Sequence, residues 1–202
     1  MGQYTIQVTT GKDATIEGNA TYGLESTIKV GGKPEWPAYK IILYFPIDII
    51  PANKKIISAK YKIKCVDREY LTVDDKSMTI RFGAMGPNWN ENWNEASITE
   101  NNPYYDPNNN ILNINVLVGT VIGEWTQIDI TDIVNMWYSG TNPNKGIYVS
   151  PWDLLGYASY ASLQAANPSD KPYVEIVYED ASPVKPTNLS PSAEVKTVNE
   201  II

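Results

Sequence analysis

Runs rich in β-branched and aromatic residues recur at residues 4–9, 27–30, 39–45, 59–66, 78–82, 112–118, 125–130, 146–149 and 173–178, with Gly, Pro, Asn and Asp between them. Such runs predict short strands joined by turns, the pattern of an all-β sandwich. Within 59–66, Tyr61, Ile63 and Cys65 alternate with Lys60, Lys62 and Lys64. That period of two belongs to a strand with one face on a core and the other in water. One segment has a different period: Ile130, Ile133, Val134 and Trp137 recur at helical spacing between a cap, Thr131, and a stop, Gly140. It predicts a single short helix closing one end of an antiparallel sandwich.

Two stretches lack either period. Residues 84–110 are dense in Asn and carry Pro87, Pro103 and Pro107, which predicts a long loop tied down by Trp89, Trp93, Tyr104 and Tyr105. Residues 179–186 are polar and contain Pro183 and Pro186, as linkers do. The following Thr187-Asn188-Leu189-Ser190-Pro191 resembles the opening of a fibronectin type III domain. The expected organisation is a sandwich over residues 1–180, then a linker and the truncated start of a fibronectin type III-like module over 181–202. There is no internal repeat, and 202 residues suffice for a core without disulfide staples.

Composition narrows the chemistry. The 16 Lys and Arg against 23 Asp and Glu leave a net charge of −7, a field that repels nucleic acid and acidic polysaccharides and leaves neutral sugars unaffected. The longest apolar runs, such as 47–50 with Asp48 inside, are too short to cross a bilayer as a helix, so no membrane insertion is expected. Histidine is absent, which removes Ser-His and Cys-His nucleophile activation and the commonest transition-metal ligand. The single cysteine, Cys65, forms no intramolecular disulfide and reads as a small core residue.

Several separated signatures resemble the DNRLRE, or disaggregatase-related, domain family. In order they are Asp13-Ala14-Thr15-Ile16, Asn19 through Tyr22-Gly23 to Ser26 and Thr27, Leu43-Tyr44-Phe45, and Ile57-Ser58-Ala59-Lys60. Then come Trp93-Asn94-Glu95-Ala96-Ser97-Ile98-Thr99, Asn102-Pro103, the stretch 125–134 with Trp137, Asn144-Lys145-Gly146-Ile147, and the terminal run 171–178. The resemblance covers about residues 12–178. It implies a jelly-roll β-sandwich, a module of bacterial, archaeal or phage surface proteins, and a kinship with alginate-type carbohydrate-binding modules. Two departures stand out: Lys171 is the basic residue at the entry to the terminal strand, and Gln164 replaces the acid expected after Ser162. The acidic chain itself disfavours alginate, a polyanion.

The expected function is non-catalytic glycan binding, with a neutral or weakly acidic glycan or cell-surface polysaccharide as partner. The alternatives are a structural spacer or assembly domain of a phage tail or cell-surface fibre and, more distantly, a glycoside hydrolase. A sugar ring needs an aromatic platform for its CH face and polar groups at its rim. Trp36, Trp89, Tyr104, Tyr105, Trp152, Tyr157 and Tyr160 fit that need, since neighbouring Gly, Pro or Asn place them in loops or at strand ends; packing is the competing role. Trp93, Trp125 and Trp137 read as core. Glu95, Ser97 and Thr99 read as partners for loop backbone, with a sugar or metal ligand as the alternative for Glu95. Asp106, Asn108 and Asn110 offer oxygens at alternate positions and are candidate ligands of a structural Ca2+, against the simpler reading of Asn-rich turns. Carboxylates at Asp48, Glu91, Glu95, Asp106 and Asp153 could pair for hydrolysis, but no spacing selects a pair, so no catalytic residue is assigned. No secretion signal precedes Gln3, so the expected extracellular, cell-surface or virion location rests on the resemblance.

Overall fold

The computed structural model describes residues 2–32, 37–69, 71, 76–89, 92–99, 110–152 and 156–181. Along the chain these form β1 (Gln3–Thr9), β2 (Lys12–Glu17), β3 (Ala20–Thr21), β4 (Thr27–Gly32), β5 (Lys40–Tyr44) and β6 (Lys54–Glu69). There follow β7 (Ser77–Met85), β8 (Asn110–Gly119), β9 (Trp125–Asp129), α1 (Thr131–Tyr138), β10 (Ile147–Pro151), β11 (Gly156–Ala161) and β12 (Tyr173–Asp180). Two antiparallel sheets result. The first runs β1-β12-β6-β11-β4 with β9 also paired to β6, and the second runs β3-β2-β5-β10-β7-β8.

The main core lies between the sheets and includes Ile28, Val30, Phe45, Tyr61, Ile63, Phe82 and Ile176. The alternation expected around Tyr61 is present: Lys60, Lys62 and Lys64 face outward and pair with Asp129, Glu175 and Asp170. A second cluster lies apart from the first. Ile41 and Leu43 belong to the main core while Ile42 between them joins Ala14, Ile16, Met85, Trp89, Trp93, Ile98 and Tyr148. Alternation along β5 therefore buries both of its faces, which accounts for its uninterrupted Ile-Ile-Leu. The cover on the outer face comes from residues 86–89 and 92–99, where Trp89, Trp93 and Ile98 are the apolar anchors.

Three strands lie outside the sequence expectation. β2 carries a buried Asp13, and β11, Gly-Tyr-Ala-Ser-Tyr-Ala, has little intrinsic strand preference and extends through pairing with β4 and β6. β3 is only two residues long. β6 also starts earlier than expected, where Lys54 and Lys55 face Asp180 and Glu179 across the ladder. The helix forms as expected, with Ile133, Val134 and Trp137 buried, but its cap differs. Ile130 occupies the N-cap position, and Thr131 instead accepts a hydrogen bond from the Ala59 N–H at 2.9 Å. Asp129 Oδ1 accepts from the Thr131 N–H at 3.0 Å.

Three remote signatures meet at Asp13. Its Oδ2 accepts the Leu163 N–H at 2.7 Å, and its own N–H donates to Glu95 Oε1 at 2.9 Å. Gln164 Nε2 donates to the same Glu95 oxygen at 3.3 Å. The Asp13 side chain is 1% exposed, and Oδ1 has no hydrogen-bond partner among the described residues. Burial, followed by the nearby Glu95 charge, raises the carboxyl to about 7, against the favourable hydrogen bond from Leu163.

Two expected outcomes follow. Between its ordinary value of 3.8 and about 7 the folded protein retains a proton that the unfolded chain releases, so this group's contribution to stability falls as pH rises through that window and levels off above it. Urea titrations at successive pH values should show that decline, at most about 1.4 kcal/mol per pH unit, and Asp13→Asn should flatten it. Trp137→Ala should cost about 3 to 5 kcal/mol, whereas Trp125→Ala, at an exposed position, should cost about 1 kcal/mol or less in the same measurement.

Candidate functional site

A polar aromatic cluster lies at one end of the first sheet and begins with a glycine. Gly31 adopts φ +120°, and a Cβ there would stand 2.2 Å from the Gly156 carbonyl oxygen and 2.6 Å from Tyr157 Cα. Only glycine tolerates that approach. Gly31 faces Tyr157 on β11, while on its other side it exchanges backbone hydrogen bonds with Tyr39, at 2.8 and 3.2 Å. With no side chain between them, Tyr39 and Tyr157 meet edge to face, centroids 5.0 Å apart. Tyr22 packs edge-on against Tyr39 at 6.3 Å.

Lys29, two residues before Gly31 and therefore on the same outward face, extends over this cluster. Its Nζ lies 5.7 Å from the Tyr22 ring centroid and 5.8 Å from that of Tyr39, and its backbone N–H donates to Thr15 Oγ1 at 2.8 Å. Carboxylates ring the group. Glu25 pairs with Lys29 at 3.6 Å, Tyr22 donates its hydroxyl proton to Glu17 at 3.0 Å, and Tyr157 donates to Glu69. The bond to Glu17 stabilises the protonated phenol and raises the Tyr22 pKa. Tyr22, Lys29, Tyr39 and Tyr157 are all half-buried, and a hollow of about 250 Å³ lined by residues 21–25 and Ala96 adjoins Tyr22. The surface combines ring faces and edges, one shared cation, and acceptors at the rim.

Of the candidates named from sequence, Tyr157 lies in this cluster. Trp152 lies elsewhere, 53% exposed just after β10, with the Arg81 guanidinium 4.9 Å from its ring centroid. Two others are corrected by burial. Trp89 is 6% exposed and part of the second core cluster, and Tyr160 is 0% exposed with its hydroxyl donating to the Gly119 carbonyl at 2.9 Å, so neither presents a ring face to a ligand. Trp36, Tyr104, Tyr105, Asp106 and Asn108 fall outside the described residues, and Asn110 is described only as the first residue of β8. Among the described residues no group of three or more Cys, Asp or Glu side chains is placed to hold a metal ion. Glu95 takes the backbone role, accepting the Asp13 N–H.

Trp125 is a correction in the other direction. It was expected in the core but is 40% exposed, packed edge to face on Tyr173 at 5.8 Å. Alternation along β9 puts Ile128 inside, which sends Trp125, Gln127 and Asp129 outward. The residues that sequence reasoning missed are Tyr22, Lys29 and Tyr39. Their signal was present as Lys29 between the apolar Ile28 and Val30, but nothing local joins position 22 to 39 or 157.

Gly31→Ala should lower the urea unfolding free energy by at least about 2 kcal/mol and weaken the near-ultraviolet circular dichroism of the tyrosines, because the added methyl meets backbone on β11.

Comparison with curated proteins finds no match. The sequence does match a family profile, that of carbohydrate-binding module family 96, over residues 4–178. That span runs from within the first strand to within the last, and includes Tyr22, Lys29, Tyr39 and Tyr157. The chain thus belongs to carbohydrate-binding module family 96.

Proposed function

We propose that this module binds a neutral or weakly acidic glycan, without catalysis, on the surface formed by Tyr22, Tyr39, Tyr157 and Lys29. The observation that carries the reading is the convergence of three tyrosine rings from separate segments beside one lysine at an accessible sheet end. Ring faces and edges meet the CH groups of a sugar, and the phenol oxygens, ammonium and carboxylates meet its hydroxyls. Charge selects among glycans. Glu17, Glu25 and Glu69 outnumber Lys29 at the site, and the whole chain carries −7, so a polyuronate is disfavoured.

The lack of histidine and of a selected carboxylate pair supports the non-catalytic part of the reading. The DNRLRE resemblance and the fibronectin-like opening near residue 187 support its placement outside the cell, on a cell surface or virion, within a multidomain protein. A calcium ion in the segment containing Asp106, Asn108 and Asn110 would be structural in this reading.

Affinity electrophoresis and calorimetry against neutral polysaccharides should detect binding that Tyr39→Ala and Tyr157→Ala each weaken tenfold or more, on the order of 1 to 3 kcal/mol by analogy with stacking on nucleic-acid bases. Their unfolding midpoints should stay within a few degrees of the parent. Undiminished glycan binding in both folded variants would remove the site, and absence of binding by the parent across such a panel would favour the spacer or assembly role.

A further inference from the structure

The end of the sandwich opposite the tyrosines also carries a cavity. β5 runs from the residue after Tyr39 to Tyr44, and β6 from Lys54 to Glu69, beside Tyr157. Tyr44 and Asn53, at the far ends of those two strands, line a cleft of about 720 Å³, within the range of small-molecule sites. Tyr138 from α1 and Tyr44, both half-buried, form its aromatic wall, with the buried Trp137 packed behind them, and Asp48, Asn53 and Asn144 supply polar groups.

Its walls are fixed from behind. The Tyr138 hydroxyl donates to the Pro51 carbonyl at 2.6 Å and accepts the Lys54 N–H at 2.9 Å, so the ring is immobilised by bonds that leave its face unused. Asn144 donates to the Phe45 carbonyl at 2.6 Å and accepts the Gly146 N–H at 3.2 Å. Asn53 is the one described non-glycine residue in the left-handed region, at φ 60°. The side chains of Asp48 and Asn53, by contrast, are exposed and have no hydrogen-bond partner among the described residues. A pre-formed aromatic wall with a free carboxylate and a free amide at the mouth is the arrangement that recognises a hydroxylated ring.

We propose that this cleft is a second carbohydrate site, which takes the neutral terminal residue of a sugar chain. The hollow beside the tyrosine cluster holds about 250 Å³, whereas this cleft of about 720 Å³ has room for the terminal residue of a chain. Among the described residues of its lining Asp48 is the only charged one, so acidic sugars and phosphates are disfavoured. The proposal shares the ligand class of the reading above but none of its residues. Because the 16 residues of β6 span the distance between the sites, up to about 50 Å if straight, one module could engage two chains or two parts of one chain.

The test is a titration of the isotope-labelled protein with glucose, galactose, mannose and N-acetylglucosamine, each to tens of millimolar so that a millimolar site fills. The buried Trp137 Nε1–H, which has no hydrogen-bond partner among the described residues, provides the signal. At least one of the four sugars should shift it saturably. Asp48→Ala and Ala52→Trp, both at exposed positions, should abolish that shift, and Tyr39→Ala should leave it unchanged. No saturable shift with any of the four sugars would overturn the proposal, as would a shift lost in Tyr39→Ala. Failure of the tyrosine site would appear separately, as glycan binding indifferent to Tyr39→Ala and Tyr157→Ala.

Discussion

The buried carboxylate of Asp13 is the constraint around which the loops of this sandwich are arranged. A carboxylate at 1% exposure is costly unless it is hydrogen-bonded or protonated, and here one oxygen is bonded while the other has no partner among the described residues. Its position is set by bonds to chain segments that are 82 and 150 residues away in sequence. Through Glu95, β2 is tied to residues 92–99, and through Leu163 and Gln164 to the turn after β11. Gln164 in place of an acid suits this arrangement, since it donates to Glu95 where a second carboxylate would repel it.

That tie has two consequences for packing. It holds residues 92–99 against the outer face of the second sheet, where Trp93 and Ile98, together with Trp89, cover Ile16, Ile42 and Tyr148. It also brings the turn of residues 21–25 close to Glu95: a Cβ at Gly23 would stand 1.9 Å from the Glu95 carbonyl oxygen, and the Thr21 hydroxyl donates to that oxygen at 3.1 Å. Tyr22 is carried into reach of Tyr39 by this turn. The buried polar contacts thus position the aromatic surface, and Gly31 lets its third tyrosine join.

The fold places its two candidate ligand surfaces at opposite ends, joined by its longest strand. Charge separates them from the flat face between. There Lys60, Lys62 and Lys64 are each paired with an acid, which leaves a neutralised ladder with Trp125 and Tyr173 at its edge. Exposed pairs of this kind contribute little stability individually, and their regular register instead keeps an outward sheet face soluble and specific.

Sequence alone determined the fold class, most strands and the helix, because period-two and helical patterns of burial are local and survive without knowledge of neighbours. The inward Tyr61, Ile63 and Cys65, and the buried Ile133, Val134 and Trp137, follow directly from those patterns. Signatures spread over residues 12–178 also pointed to a carbohydrate-binding kinship, and the family match over 4–178 agrees with it. Tertiary structure decided the rest. β11 became a strand because β4 and β6 flank it, Trp89 and Tyr160 went inside and Trp125 outside because strand parity and the wrapped segment dictated it, and Tyr22, Lys29, Tyr39 and Tyr157 came together across Gly31. An aromatic side chain reads the same in sequence whether it packs or binds. Only the partner on the other side of its ring distinguishes the two, and that partner is a long-range contact.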